Sequence, residues 1–180
     1  MEVHPAVSEP EVLLATRLFR VERRKYQTPD GREHVRDTIQ HPGAVAILPL
    51  LPDDRLCLIR NFRPAVGQTL IELPAGTLEP GEDPLSTAHR ELAEETGYQA
   101  ARIEPLCQIL MSPGILHERV HIYVASGLTP GPMQLESGEQ IEPLWVDWAA
   151  AMQMVDCGEI VDGKTVAGLL FYDRRRRSTK

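Results

Sequence analysis

The stretch Glu72-Leu73-Pro74-Ala75-Gly76-Thr77-Leu78-Glu79-Pro80-Gly81-Glu82-Asp83-Pro84-Leu85-Ser86-Thr87-Ala88-His89-Arg90-Glu91-Leu92-Ala93-Glu94-Glu95-Thr96-Gly97-Tyr98 decides how the rest of the chain is read. Its second half predicts a helix. Asp83 suits the N-cap, Pro84 the first helical position, and Gly97 the left-handed residue that closes a helix. Leu85, Ala88 and Leu92 recur at helical spacing and predict an apolar stripe. Glu91 and Glu95 stand four apart on that helix and share a face, which Glu94 borders. Three carboxylates near a helix C-terminus repel one another and oppose the macrodipole, at up to roughly 1 kcal/mol for each clash when exposed. One reading is a solvated acidic face in which Arg90 and Glu94 pair. The other is a divalent cation, which reverses the sign of every repulsion; carboxylate oxygen is the ligand Mg²⁺ takes. Ahead of the helix, Gly76 to Glu82 is a glycine-containing loop that follows a strand-like Thr69-Leu70-Ile71-Glu72-Leu73.

Working outward, the segments upstream read as strands. Leu18–Glu22 and His34–Ile39 alternate in polarity around the turn signal Pro29-Asp30-Gly31, predicting a hairpin too small to stand alone. Ala44–Leu50 reads as a buried strand, and Arg55–Arg60 as another beyond the Pro52-Asp53-Asp54 turn. Downstream, Arg102–Leu110, Arg119–Ala125 and Leu144–Val146 read as strands. Trp145 and Trp148, flanking the last of these, are expected in the core. Asp147 is placed to cap a helix through Met154, and a last helix is expected over about Val161–Phe171. Arg174–Arg177 then opens a polar tail. The expected organisation is a β extension over residues 1–43, a main domain over 44–172 and a basic tail over 173–180. Strands dominate and helices are few, which points to a mixed α/β or α+β domain.

Composition sets the boundaries of this reading. The chain has 180 residues, 42% hydrophobic and 25% charged, with a formal net charge of −7. That length suits one domain with a real core and no need of disulfides. The acidic balance argues against a general nucleic-acid binder. No apolar run approaches a membrane span, and Met1–Pro5 lacks the basic and apolar regions of a signal peptide. Three scattered cysteines, Cys57, Cys107 and Cys157, make neither a disulfide framework nor a thiolate zinc site, and suit a reducing cytoplasm.

Gly76, five residues, Glu82, seven residues, then Arg90-Glu91-Leu92-Ala93-Glu94-Glu95-Thr96-Gly97 and the aromatic Tyr98 match the Nudix box at every defined position. The chain therefore resembles a Nudix hydrolase. The resemblance implies an α/β/α sandwich around a mixed sheet, here with an N-terminal antiparallel β extension. It implies that Glu91 and Glu95 are the principal Mg²⁺ ligands (Mn²⁺ being the alternative ion), with Glu94 and the Ala75 carbonyl in support. Glu82 would pair with Arg90 and hold the helix to the loop, while Gly76 and Gly97 serve the box structurally. Glu72-Leu73-Pro74-Ala75-Gly76, Pro113 fifteen residues beyond Tyr98 and the nearby Glu118 resemble the ADP-ribose pyrophosphatases in particular. In that subfamily the base that deprotonates the attacking water comes from a mobile acidic loop. Here that loop is Leu135-Glu136-Ser137-Gly138-Glu139-Gln140-Ile141-Glu142, with Glu139 in the catalytic place, also counted as a metal ligand, and Glu136 and Glu142 as rivals.

The same resemblance makes Arg63, in Phe62-Arg63-Pro64, a phosphate-binding residue. Glu72 either hydrogen-bonds substrate or caps a strand end, and Arg36 and Glu118 are further substrate-binding candidates. Phe19 and Tyr26 are the aromatics offered to an adenine. Residues of about 12–40 resemble the piece with which such enzymes build a homodimer. The expected reaction is Mg²⁺-dependent hydrolysis of ADP-ribose to AMP and ribose 5-phosphate. The alternatives are another nucleoside diphosphate sugar such as GDP-mannose, a nucleotide-sugar sensor that does not hydrolyse, and RNA cap hydrolysis resting on the arginine run alone.

Three literal patterns are set aside. His117-Glu118-Arg119-Val120-His121 spells a zinc-protease motif, but it lies in alternating strand-like sequence, where residues four apart are separated by roughly 13 Å. Gly158–Thr165 spells a phosphate-binding loop, but that needs a strand before it; what precedes Gly158 reads as helix, and only fifteen residues follow Thr165. Arg174–Arg177 reads as a solvated run on an acidic protein.

Overall fold

The computed structural model describes residues 8–135 and 138–178. Its elements follow in the order β1 (Glu11–Ala15), β2 (Arg20–Gln27), β3 (Glu33–Gln40), β4 (Ala44–Leu51), β5 (Arg55–Arg63), β6 (Gln68–Glu72), β7 (Ala75–Thr77), α1 (Pro84–Thr96), β8 (Tyr98–Leu110), β9 (Leu116–His117), β10 (Arg119–Pro130), β11 (Ile141–Asp147), α2 (Trp148–Asp156) and α3 (Gly163–Ser178). None of the described helices is long and apolar enough to cross a membrane. The chain divides into two units. One comprises the residues up to Gly43 with Leu110–Arg119, and the other Ala44–Ile109 with Val120 onward.

The smaller unit is a four-stranded sheet in the order β1-β2-β3-β9, antiparallel except for the short parallel β3–β9 pair. The β2–β3 hairpin turns at Thr28–Arg32, where Gly31 takes the positive φ that a side chain resists. Arg23 grips Asp37 across the hairpin through two bonds of 2.8 and 2.9 Å. β1, absent from the sequence reading, pairs with β2 and exposes Val12, Leu13 and Leu14. Its five residues carry too little alternation to announce a strand.

The larger unit is built on a seven-stranded sheet with the path β11-β5-β4-β10-β8, to which β6 adds beside β5 and β7 beside β4. β4 and β10 run parallel, Ala44–Pro49 against Val120–Ala125, while β4 pairs antiparallel with β5 and β7. Val45, Ala46, Ile47 and Leu48 are all fully buried, so both faces of β4 are covered. Under α1 lie Val45, Ile47, Tyr123 and Ala125, packed with Ala88 and Leu92. On the other face Gly168 of α3 brings its backbone against Leu73 and Ile122; an added Cβ would lie 2.8 Å from Leu73 Cδ1. Helix, mixed sheet and helix thus make the three layers.

α1 begins and ends where its sequence says. Asp83 accepts the N–H groups of Leu85 and Ser86 at 3.1 and 3.2 Å, and Gly97 closes the helix at φ +71°. Its buried face differs from the predicted stripe, because Leu85 in the first turn is 39% exposed. Ala88 and Leu92 are buried together with Thr87, Glu91, Glu95 and Thr96, so both carboxylates share the buried face.

Two further expectations change. α3 runs on through Arg174–Arg177 to Ser178, so the arginines are helical and not a tail. Arg176 lies over the Trp148 ring, 4.8 Å from its centroid, and pairs with Asp54 at 2.8 Å; Arg177 pairs with Asp173 at 2.7 Å. The i,i+4 pair Arg177–Asp173 supports the helix beyond its apolar portion, and Arg176–Asp54 ties that end to the β4–β5 turn. Trp148 is buried edge-on to Tyr172, but Trp145, toward the far end of β11 from the buried Ile141, is exposed; its indole N–H reaches the Tyr98 hydroxyl at 3.1 Å.

This packing separates two leucines of one helix. Leu92→Ala is expected to cost about 2–5 kcal/mol in urea unfolding, and Leu85→Ala within about 0.5 kcal/mol of zero.

Candidate active site

The site begins with a strip of backbone. Ile47 N–H donates to the Pro74 carbonyl at 2.9 Å, and β7 then pairs with β4, Ala75 opposite Ala46 and Gly76 opposite Val45. Ala75 and Gly76 are thereby fixed to the central strand. α1 crosses above them. The Glu91 carboxylate occupies the space that a side chain on Gly76 would need: a Cβ there would stand 1.8 Å from Glu91 Oε1. One turn further on, Glu95 Oε2 accepts the Ala75 N–H at 2.7 Å. Gly76 is required here by a close approach, not by its φ.

Both carboxylates are almost removed from water, Glu91 at 8% and Glu95 at 2% exposure. Burial pushes the Glu91 carboxyl up to about 7, against the pull of Arg90, with the charges of Glu94 and Glu139 adding to the rise. Burial likewise holds Glu95 well above the ordinary carboxylate range; the Ala75 N–H opposes this, and Glu91 and Glu139 reinforce it. Such perturbed pairs are expensive as structure and common at functional sites.

Arg90 organises the third side. Its Nε and Nη2 each donate to Glu82 at 3.2 Å, and its Nη1 donates to Glu91 at 2.7 Å and Glu94 at 3.0 Å. Glu94 is thus partly exposed and tied to Arg90. Among the described residues no three His, Cys, Asp or Glu side chains stand ready to chelate an ion. The donor set nevertheless fits Mg²⁺, which is held by one or two carboxylates with waters and substrate phosphates, not by an all-protein cage. Glu91 and Glu95 supply two hard anionic oxygen ligands beside the Ala75 backbone, and a divalent charge would offset the burial that now raises both carboxyls.

Glu139 acts electrostatically on both carboxyls and lines a cleft with Arg60, Phe62, Leu135, Gln140 and Glu142. The segment before it is laced to α1: Gly131 N–H donates to the Gly97 carbonyl and Gln134 N–H to that of Glu94. Glu142 is in β11 opposite Arg60, and Glu136 lies outside the described residues.

Arg63, at the end of β5, gives its Nε and Nη2 to the two oxygens of Glu72 at 2.8 and 2.6 Å. Glu72 is fully buried at the end of β6, and Lys164 reaches its Oε2 at 2.5 Å. Burial pushes the Glu72 carboxyl up, but the Arg63 bonds and the Lys164 charge prevail and hold it below its usual range. Lys164 was missed in the sequence, where it is visible only inside the Gly158–Thr165 pattern. That pattern is the α2–α3 connection, with Asp162 accepting the Thr165 N–H at the start of α3.

The remaining candidates belong to the smaller unit. Arg36 lies over the Tyr26 ring at 5.8 Å, Tyr26 stacks on His34, and Glu118 stands 3.3 Å from His41 Nδ1. The Phe19 carbonyl accepts the Thr16 hydroxyl. His117 and His121 sit in strands β9 and β10, not on a helix.

The NUDIX domain profile matches residues 40–168. The chain belongs to the Nudix hydrolase superfamily. An ADP-ribose pyrophosphatase of Bacillus subtilis (strain 168) is 35% identical over 81% of this chain and 80% of its own length. A methanol dehydrogenase activator of Bacillus methanolicus is 32% identical over 89% of this chain and 88% of its own. The solved structure of an ADP compounds hydrolase superposes with a TM-score of 0.85 at 23% identity, covering 99% of this chain and 97% of that one, which shows the Nudix fold.

The Gly76 approach and the buried carboxyls each predict a result. Gly76→Ala must displace the Glu91 carboxylate; turnover should fall at least about tenfold while circular dichroism stays native. For the carboxyls, the folded Glu91 binds its proton up to about pH 7 against 4.5 ordinarily. Folded protein therefore holds more protons than unfolded across that window, and the stability this contributes is lost as pH rises through 7. Without divalent metal, melting temperature should drop between pH 5 and 7.5, and Mg²⁺ should flatten the profile.

Proposed function

We propose that the protein hydrolyses the diphosphate bond of a nucleoside diphosphate sugar with the aid of Mg²⁺, ADP-ribose being the substrate and AMP and ribose 5-phosphate the products. The observation that carries this reading is the pair of buried carboxylates, Glu91 and Glu95, on one helix face against the Ala75–Gly76 backbone. The likeness to the Bacillus subtilis pyrophosphatase supports the substrate class. When bound, divalent ions would neutralise the diphosphate and lower the pKa of the attacking water. Glu91, Glu95 and the Ala75 carbonyl would hold them, with Glu94 beside.

The chain's own residues account for the other requirements. Glu82 fixes Arg90, and Arg90 keeps the acidic edge of α1 oriented toward the loop. Arg63 presents a guanidinium whose Nε–Nη2 edge belongs to Glu72, so its Nη1 end is the one offered to a phosphate oxygen. Glu139 takes the proton of the attacking water as the new P–O bond forms and the bridging P–O bond breaks, and Gly138 beside it, at φ +99°, supplies the hinge for the loop. GDP-mannose would meet the same machinery and differ only in base and sugar contacts. We further propose that a second copy covers the apolar β1 edge, giving a homodimer, and that the protein works in the cytoplasm on a small molecule.

AMP release from a panel of nucleoside diphosphate sugars with Mg²⁺ tests the reading. Wild type should turn over ADP-ribose fastest. Glu95→Gln and Glu139→Gln should lose at least about a hundredfold in kcat, within the range a single general base or metal ligand supplies. Tight binding of one sugar without turnover of any would replace the enzyme with a sensor.

A further inference from the structure

A cluster at the start of α3 lies outside every element of the box. Lys164 Nζ stands 2.5 Å from Glu72 Oε2 and 3.0 Å from Asp162 Oδ1. Asp162 is held in turn by the Thr165 N–H at 3.0 Å and hydroxyl at 2.6 Å. The same Thr165 hydroxyl oxygen accepts the Leu73 N–H at 2.8 Å. The first turn of α3 is thus bolted to the two residues that lead from β6 into Pro74, Ala75 and Gly76. Lys164 and Glu72 are separated by 92 positions in the chain.

The charges in this cluster conflict with the role of Arg63. Glu72 is fully buried and takes two bonds from Arg63, one of them on the oxygen that Lys164 also meets. A buried carboxylate with Arg63 as its only cation would hold that guanidinium's charge to itself. A second cation on the same oxygen divides the demand. It leaves Arg63 fixed by geometry yet able to give charge to an incoming phosphate, from a side chain still 40% exposed.

We propose that Lys164 is a positioning residue for diphosphate binding. It neutralises Glu72, so that Arg63 is oriented by that carboxylate without being consumed by it. The proposal rests on the reading of Arg63 as the diphosphate clamp. Lys164 itself touches no substrate, and Asp162 aims it. The Lys-Thr pair that looks like a phosphate-binding loop serves phosphate indirectly, through Glu72 and Arg63.

The test compares wild type, Lys164→Met and the double variant Lys164→Met/Glu72→Gln. It reads KM and kcat for ADP-ribose, calorimetric Kd for inorganic pyrophosphate, and melting temperature. Lys164→Met should raise KM and the pyrophosphate Kd about tenfold, with kcat within about threefold of wild type. Removing the Glu72 charge as well should recover part of the loss, leaving both constants below those of Lys164→Met and above wild type, because the competitor for Arg63 is gone together with one of its two acceptor oxygens. A purely structural lysine gives the opposite pattern: lower melting temperature, unchanged KM and Kd, and a double variant no better than the single. That result overturns the proposal, as does a wild type that fails to bind pyrophosphate. Failure of the proposed activity is distinguishable. A wild type that turns over no sugar nucleotide, yet binds pyrophosphate with the same dependence on Lys164 and Glu72, refutes the substrate reading and leaves the positioning role standing.

Discussion

The contact between the Glu91 carboxylate and the bare α-carbon of Gly76 is the constraint on which the site depends. It requires a residue without a side chain at 76 and a helix held at one height above the sheet. It also requires a backbone strip that cannot move away. The sequence meets each demand locally. Asp83 and Gly97 set the ends of α1, Ala88 and Leu92 set its depth over Val45 and Ile47, and the pairing of β7 with β4 pins the strip. Glu95 then finds the Ala75 N–H as a consequence of helical spacing, one turn after Glu91.

The energetic character of this contact explains the charges around it. Two carboxylates on the buried side of a helix weaken the fold where an apolar pair would strengthen it. Arg90 relieves part of the cost by bridging Glu82, Glu91 and Glu94, but it meets Glu91 from the edge and does not reach Glu95 with a bond. Glu139 adds further negative charge in the same field. An excess of buried negative charge with hard oxygen donors is the electrostatic complement of a divalent cation and a diphosphate, and a poor complement of almost anything apolar.

Much of this was legible before any coordinates. The ends of α1, the β2–β3 hairpin and the strand placement of His117 and His121 follow from local rules of capping, turn chemistry and alternation, which the sequence states directly, whereas the box is read through a family resemblance. What escaped was long-range or marginal. β1 is too short and too exposed to show a pattern. Leu85 shares the helical period of Ala88 and Leu92 but stands exposed in the first turn of α1. Trp145 is exposed although Ile141, on the same face of β11, is buried, and no local pattern separates the two. Lys164 meets Glu72 only because α3 returns to the end of β6, and no local signal encodes that return. The Gly158–Thr165 pattern forms the connection into α3, where its Lys164 meets Glu72 and its Thr165 accepts the Leu73 N–H.

The larger unit therefore has two supports for one strip of backbone. α1 presses on Ala75–Gly76 from above, and α3 holds Glu72–Leu73 from the side. Crystals grown with Mn²⁺ and a non-hydrolysable ADP-ribose analogue, recorded at the manganese absorption edge, test the account most directly. It predicts an anomalous peak bonded to Glu91, Glu95 and the Ala75 carbonyl oxygen, at the distances of oxygen-ligated ions. A peak elsewhere, or none with the analogue bound, would contradict it.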